Sequence, residues 1–254
     1  MLAVTASGTE RSMLTNRVIP VLLYRGTELC KGVKFDSWRG VGSAVQAMKL
    51  YDRRKVDELI FLDVGATREG LGPDLDLVRE VADEFSCPLT VGGGIRSVED
   101  VKQLLRAGAD KVAICTCLDL IPEVVEAFGS QAVVASIDHQ EGSTFISSGR
   151  VPTRMSPVDR AKHAMNLGAG EILLNSIERD GTMQGYDLGT LAAVAGEVNV
   201  PVIVCGGCSG YEDMAQAFEV GASAVAAGAL FQFTQHTPMG ASRYLRTKGF
   251  HVRV

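Results

Sequence analysis

The sequence predicts a (β/α)8 barrel built from two duplicated half-barrels. Three observations carry this. Short apolar runs alternate with longer amphipathic segments from end to end, the pattern of parallel strands joined by helices. Eight such units are present, the number that closes a barrel. Pro88-Leu-Thr-Val-Gly-Gly-Gly-Ile-Arg-Ser-Val-Glu-Asp is echoed by Pro201-Val-Ile-Val-Cys-Gly-Gly-Cys-Ser-Gly-Tyr-Glu-Asp, and Ala107-Gly-Ala by Val220-Gly-Ala, always 113 positions on. The alternative, an open doubly wound sheet, lacks its usual G-x-G-x-x-G after the first strand.

The expected strands fall at 18–23, 59–63, 88–92, 112–115, 132–138, 172–175, 201–205 and 224–228. Each is a short run rich in Val, Ile, Leu and Ala, as strands covered on both faces require. The expected helices lie at 41–54, 74–86, 97–107, 119–128, 157–167, 188–198, 210–220 and 240–247, where apolar residues recur at helical spacing. Ser97 and Ser209 read as caps before a first-turn Glu-Asp. Ile60-Phe-Leu-Asp63 aligns with Ile172-Leu-Leu-Asn175 to within one residue of the repeat. No linker or composition break separates the halves, so one domain is expected.

Composition excludes several classes. Thirty acidic against 25 basic residues give a net charge of −5, the wrong balance for a protein bound to nucleic acid through phosphates. With 46% hydrophobic and 22% charged residues, the chain is globular, not disordered. No apolar stretch approaches the roughly 20 residues that span a bilayer. The start, MLAVTASGTERS, lacks the basic and apolar regions of a secretory signal. A cytoplasmic location is therefore expected, with Cys30, Cys87, Cys115, Cys117, Cys205 and Cys208 as reduced thiols. Cys115-x-Cys117 and Cys205-x-x-Cys208 read as metal ligands or as small buried apolar residues; the spacing favours the second, and no metal or other cofactor is expected.

The glycine clusters point to a ligand. Gly92-Gly93-Gly94 and Gly206-Gly207 each join a strand to a helix start. Glycine admits close backbone approach, and the free N–H groups of the helix favour an anion. Two such turns at matched places in a repeat suggest two phosphates, one per half. Asp63, Asp138 and Asp180 follow the second, fifth and sixth strands, at the end where barrel sites are built. Each is a general acid/base candidate. Asp180-Gly-Thr reads equally as a turn, whereas an ionisable residue closing the run Ala132-Val-Val-Ala-Ser-Ile-Asp138 is harder to explain structurally. At the other end, Arg17, Glu58, Lys111 and Glu171 begin four strands. They either close the barrel floor as a ring or are charges at wet strand ends; the pattern alone leaves both open.

From Met13 to Val254 the chain resembles the cyclase subunit family of imidazole glycerol phosphate synthase. The resemblance rests on Arg17-Val-Ile-Pro, Lys31-Gly-Val, Asp57-Glu-Leu-Ile-Phe-Leu-Asp63, Val91-Gly-Gly-Gly-Ile-Arg-Ser-Val-Glu-Asp, Gly168-Ala-Gly-Glu-Ile-Leu-Leu and Arg179-Asp-Gly-Thr-x-x-Gly-Tyr-Asp187. Residues 1–12 then read as an extension or a mis-assigned start. The resemblance implies a lyase-type subunit that binds a bis-phosphorylated ligand. It implies a glutaminase docked on the barrel floor as a heterodimer, and ammonia passing up the barrel to the substrate. Arg17, Glu58, Lys111 and Glu171 match the family's ammonia gate. Gly93, Gly94, Thr116, Gly206, Gly207 and Gly228 fall in its phosphate sites, and Lys31, Asp63, Cys115, Asn175 and Cys205 in its pocket. Of its two acid/base aspartates, Asp138 is kept; the other falls at Leu23, which transfers no proton. Cys115 stands for an Asn, Asn175 for a Thr, and Cys205 and Gly228 for serines. Changes concentrated beside an intact gate suggest altered chemistry, in which Asp138 and Asp180 remain as candidates. Three readings follow: a paralogue supplying ammonia for amidation of a surface sugar through a separate amidotransferase, an authentic cyclase of histidine biosynthesis, and a related phosphoribosyl isomerase. The intact gate beside Leu23 favours the first.

Overall fold

The computed structural model describes residues 15–253; the expected extension over residues 1–12 lies outside them. Strand β1 (Arg17–Arg25) turns back into an antiparallel hairpin, β2 (Glu28–Val33) and β3 (Asp36–Gly42), before helix α1 (Ala44–Arg53). There follow β4 (Leu59–Asp63), the single-turn α2 (Ala66–Glu69), α3 (Leu75–Ala82), β5 (Leu89–Gly92), α4 (Val98–Arg106), β6 (Lys111–Ile114) and α5 (Ile121–Phe128). The second half runs β7 (Val133–Gln140), β8 (Ser143–Ile146), β9 (Val151–Pro152), α6 (Pro157–Asn166), β10 (Glu171–Ser176) and α7 (Leu188–Glu197). It ends with β11 (Val202–Cys205), α8 (Tyr211–Glu219), β12 (Ala224–Ala227), α9 (Ala229–Phe233) and α10 (Pro238–Thr247).

Eight strands are parallel and closed on themselves in the order β1, β4, β5, β6, β7, β10, β11, β12. The ring is completed where Arg17 to Pro20 pair with Ala224 to Ala227. The fold is a (β/α)8 barrel, as the alternation predicts. Successive strand residues point to opposite faces. Ile19, Ile60, Leu173 and Ile203 therefore pack inside the barrel. Their neighbours Val18, Phe61, Leu174 and Val204 pack outward beneath the helices. Ser97 caps α4 in a reciprocal capping box with Asp100. The expected cap at Ser209 is corrected. Gly210 is the N-cap of α8, and Ser209 instead donates from its N–H and hydroxyl to Asp213, each at 2.7 Å.

Two hairpins depart from the sequence expectation. The first strand extends beyond 23 and folds back as β2–β3; the fifth extends beyond 138 and folds back as β8–β9. Much of β3 is exposed and polar or glycine-rich, so it carries no apolar signal. The hairpins rise from β1 and β7, at matched places in the two halves.

The glycine turns give the duplication a physical form. Gly93 and Gly94 have φ of +108° and +72°; Gly206 and Gly207 have +94° and +99°. A Cβ on Gly93 would lie 2.4 Å from the Asp63 carbonyl oxygen, and one on Gly206 2.7 Å from that of Ser176. A Cβ on Gly94 would meet the carbonyl carbon of Gly72 at 2.8 Å, and one on Gly207 the carbonyl oxygen of Gly185 at 2.2 Å. The contacted residues are again 113 apart. The repeat partner of Asp63 is thus Ser176, which corrects the alignment to Asn175. Gly207→Ala is expected to cost on the order of 2–3 kcal/mol, since strain and clash coincide. Gly196→Ala, in α7 with open space around it, is expected to be neutral or stabilising. Urea unfolding midpoints of the two variants check this contrast.

Candidate active site

At the N-terminal ends of the strands the four charges form one ring. Arg17 donates to Glu58 at 2.6 Å and lies 3.2 Å from Glu171. Lys111 bridges both carboxylates at 3.1 Å. Glu58 is 2% exposed and also accepts from the Thr90 hydroxyl at 2.9 Å. Burial opposes the charge on Arg17, but the two glutamates outweigh it and raise the guanidinium above its usual range. The ring alternative is the one the structure adopts. Thr90 is a fifth member that the sequence reading missed. A threonine inside Leu89-Thr90-Val91 looks like ordinary strand composition, and only its register opposite Lys111 reveals it.

At the opposite end lies a cleft open to solvent. It is lined by Leu23, Lys31, Asp63, Gly93, Cys115, Thr116, Asp138, Asn175, Asp180, Cys205, Gly206, Gly207 and Gly228. The expected pocket set is therefore brought together; Gly94 stands immediately beside Gly93. Some groups already have work. The Gly94 N–H donates to Thr67 at 3.3 Å, and the Thr116 hydroxyl accepts from the Ser147 N–H at 3.1 Å. Gly228 leaves room for Lys31: a Cβ there would lie 3.1 Å from the Lys31 Nζ.

Asp138 is the centre of the second-half wall. One carboxylate oxygen accepts from the Cys115 thiol at 3.5 Å and the other from the Asn175 amide at 3.4 Å. Burial pushes its pKa up to about 6, against hydrogen bonds that hold it down. The two nearby thiols are protonated at neutral pH. Burial and the Asp138 charge raise Cys115 well above its usual range, and burial lifts Cys205 to about 12. Neither is a thiolate nucleophile. Among the described residues, no three His, Cys, Asp or Glu side chains are grouped to hold a metal. Asp180 pairs with Lys31 at 3.3 Å, both buried. Asp63 accepts from the N–H groups of Gly65 and Ala66 at 2.8 and 2.9 Å, so this carboxylate holds the turn into α2. Leu23 is 7% exposed, packed with Val21 and Cys30 against Leu62, Val64 and Trp38. The first-half wall is thus apolar around Leu23, where the second-half wall is polar around Asp138.

A carboxyl titrating near pH 6 is therefore expected, against about 4 for an ordinary aspartate. Carbon-13 NMR of labelled aspartate side chains, with Asp138→Asn identifying the resonance, checks it. A midpoint near 4 would contradict the burial argument.

The hairpins meet over the cleft. Arg68, on α2, donates to the carbonyls of Phe35 and Ser148 at 3.0 and 2.7 Å, tying together the tips of both. Its guanidinium lies 5.9 Å from the Trp38 ring centroid. Phe35 packs against Gly149. The sequence reading identified neither Arg68 nor Trp38, because neither lies in an expected strand or a motif.

These features define a barrel with a cleft at the C-terminal ends of the strands, where (β/α)8 enzymes carry their sites. The sequence profile of the histidine biosynthesis protein family matches residues 17–237, and the chain belongs to that family. It is 40% identical, over 253 aligned residues, to imidazole glycerol phosphate synthase subunit HisF of Clostridium botulinum (strain Okra / Type B1), covering 95% of this chain and all of that protein. The subunit HisF of Dictyoglomus thermophilum is likewise 40% identical over 251 residues, with 95% and 100% coverage.

Proposed function

We propose that the chain is the ammonia-accepting barrel subunit of a glutamine amidotransferase of the imidazole glycerol phosphate synthase type, specialised as a paralogue for amidation of a surface sugar. One observation carries this reading: the floor ring is complete, whereas of the two acid/base aspartates that the resemblance implies the cleft keeps Asp138 and has the apolar Leu23 at the other position. A protein that only conducts ammonia needs the ring and tolerates the leucine. In this reading a glutaminase docks on the N-terminal face as a heterodimer, and ammonia passes the ring of Arg17, Glu58, Lys111 and Glu171. A phosphorylated ligand is held by Gly93, Gly94 and Thr116 in one half and Gly206, Gly207 and Gly228 in the other. A sugar amidotransferase takes up the ammonia, in the cytoplasm. Lys31 with Asp180, and Asp63, Cys115, Asn175 and Cys205, shape the pocket.

The second reading is an authentic cyclase in histidine biosynthesis, with Asp138 and Asp180 carrying the reaction. It is supported by 40% identity along nearly the whole chain to proteins named imidazole glycerol phosphate synthase subunit HisF. A phosphoribosyl isomerase ranks last, since it has no use for the ring. The test supplies purified protein with the formimino carboxamide nucleotide and saturating ammonium salt at alkaline pH. Under the first reading turnover is absent or slower by about 10²–10⁴, the usual loss with one general acid or base. Robust turnover would establish the second.

A further inference from the structure

Among the described residues, two buried charges have no ion-pair partner, and they lie on either side of one residue. Arg160, on α6, is 6% exposed and takes part in no ion pair among the described residues. Its Nη2 donates to the Cys115 carbonyl at 2.7 Å, while its buried Nε has no partner. Asp138, also 6% exposed, has no cation paired to it either; its contacts are the Cys115 thiol and the Asn175 amide. Cys115 thus touches both, the arginine through its backbone and the aspartate through its side chain. A carbonyl needs only a neutral donor. Desolvating a guanidinium is costly, so its place here calls for an anion nearby.

We propose that Arg160 is a positioning residue that acts through Cys115: it fixes the thiol on Asp138 and serves as the carboxylate's counter-charge. This rests on the reading of Asp138 as the working carboxylate of the cleft. The other groups facing Asp138 do not supply that charge. Lys31 is committed to Asp180 at 3.3 Å, and Asp180 opposes ionisation of Asp138. The Cys115 and Cys205 thiols and the Asn175 amide are neutral. Arg160 is the remaining cation, and its charge favours the ionised carboxylate. Without it Asp138 would be protonated over more of the neutral range and less available as a base.

The test is direct titration of the Asp138 carboxyl by carbon-13 NMR in Arg160→Lys, Arg160→Gln and Arg160→Met. The lysine variant keeps the charge, and its midpoint is expected to stay near that of the wild type. The glutamine and methionine variants are expected to raise it by about one pH unit. Methionine leaves no unpaired donor in the interior, so it reports even if the glutamine variant fails to fold. Equal midpoints in all variants, or the same shift in lysine and methionine, would overturn the proposal, because packing alone would then account for Arg160. The titration needs no turnover. If the wild type is inactive on the formimino nucleotide but the midpoints move as stated, the cyclase reading fails and the assignment of Arg160 stands. If turnover is present, its pH profile is expected to shift with the midpoints.

Discussion

Leu23→Asp is expected to raise ammonium-dependent turnover of the formimino carboxamide nucleotide by about 10²–10⁴-fold, the usual contribution of one general acid or base. Position 23 lines the same cleft as Asp138 but on the apolar wall, beside Leu62, Val64 and Trp38. An aspartate there would place a carboxyl across from Asp138 in a part of the wall that is now apolar, whereas Asp180 is paired with Lys31 and Asp63 holds the turn into α2. Its surroundings are apolar, so burial would lift its pKa, as it does for Asp138. Inserting a carboxyl among apolar side chains is expected to cost about 1–3 kcal/mol of stability. The measurement is turnover of both proteins with saturating ammonium, beside their urea unfolding midpoints. A variant that folds and turns over where the wild type does not would mean that the scaffold still binds the old substrate. Silence from both folded proteins would mean that the pocket serves another ligand. Robust wild-type turnover would mean that another group replaces the missing aspartate.

The other large effect lies at the opposite end of the barrel. Glu58→Ala is expected to lower unfolding free energy by about 3–5 kcal/mol, because removing one partner from a buried ion cluster leaves the other charge uncompensated. Glu58 is the most connected member, accepting from Arg17, from Lys111 on both oxygens and from Thr90. Its loss leaves two cations on Glu171 alone. The Glu171 side chain is more open, at 15% exposure against 3% for Glu58, so Glu171→Ala is expected to cost less. Glu58→Gln keeps the shape and an acceptor for Thr90, and should fall between. Urea unfolding at neutral pH ranks the three. Equal costs for Glu58→Ala and Glu171→Ala would show that burial does not govern the ring.

Most of the barrel was legible because its strands are apolar runs punctuated by glycine, and its helices are amphipathic. The hairpins were not. In β3, Asp36-Ser-Trp-Arg-Gly-Val-Gly42 is largely exposed, and a solvated two-stranded arm leaves no periodic hydrophobic trace. The glycine turns were readable because glycine is confined by backbone geometry, which is local. The ring was not decidable from spacing, since parity tells which side chains share a face but not which face points inward. Cys115 and Asn175 were readable as pocket residues through resemblance. Their hydrogen bonds to Asp138 depend on strands brought together from 23 and 37 positions away. Arg160 gave no signal, because an arginine on an amphipathic helix usually faces water.

Barrel closure has a consequence for how the chain is made. The last seam pairs β1 with β12, joining Arg17 to Ala224. During synthesis at about 5–20 residues per second, β1 emerges roughly 10–40 s before the strand that completes it. Over that interval β1 lacks its final neighbour, and the nascent sheet has an open edge able to pair with other chains. Only the β2–β3 arm and the early parallel neighbours are available to occupy it. The edge of β1 that β12 covers therefore stays open until nearly the whole chain has been made.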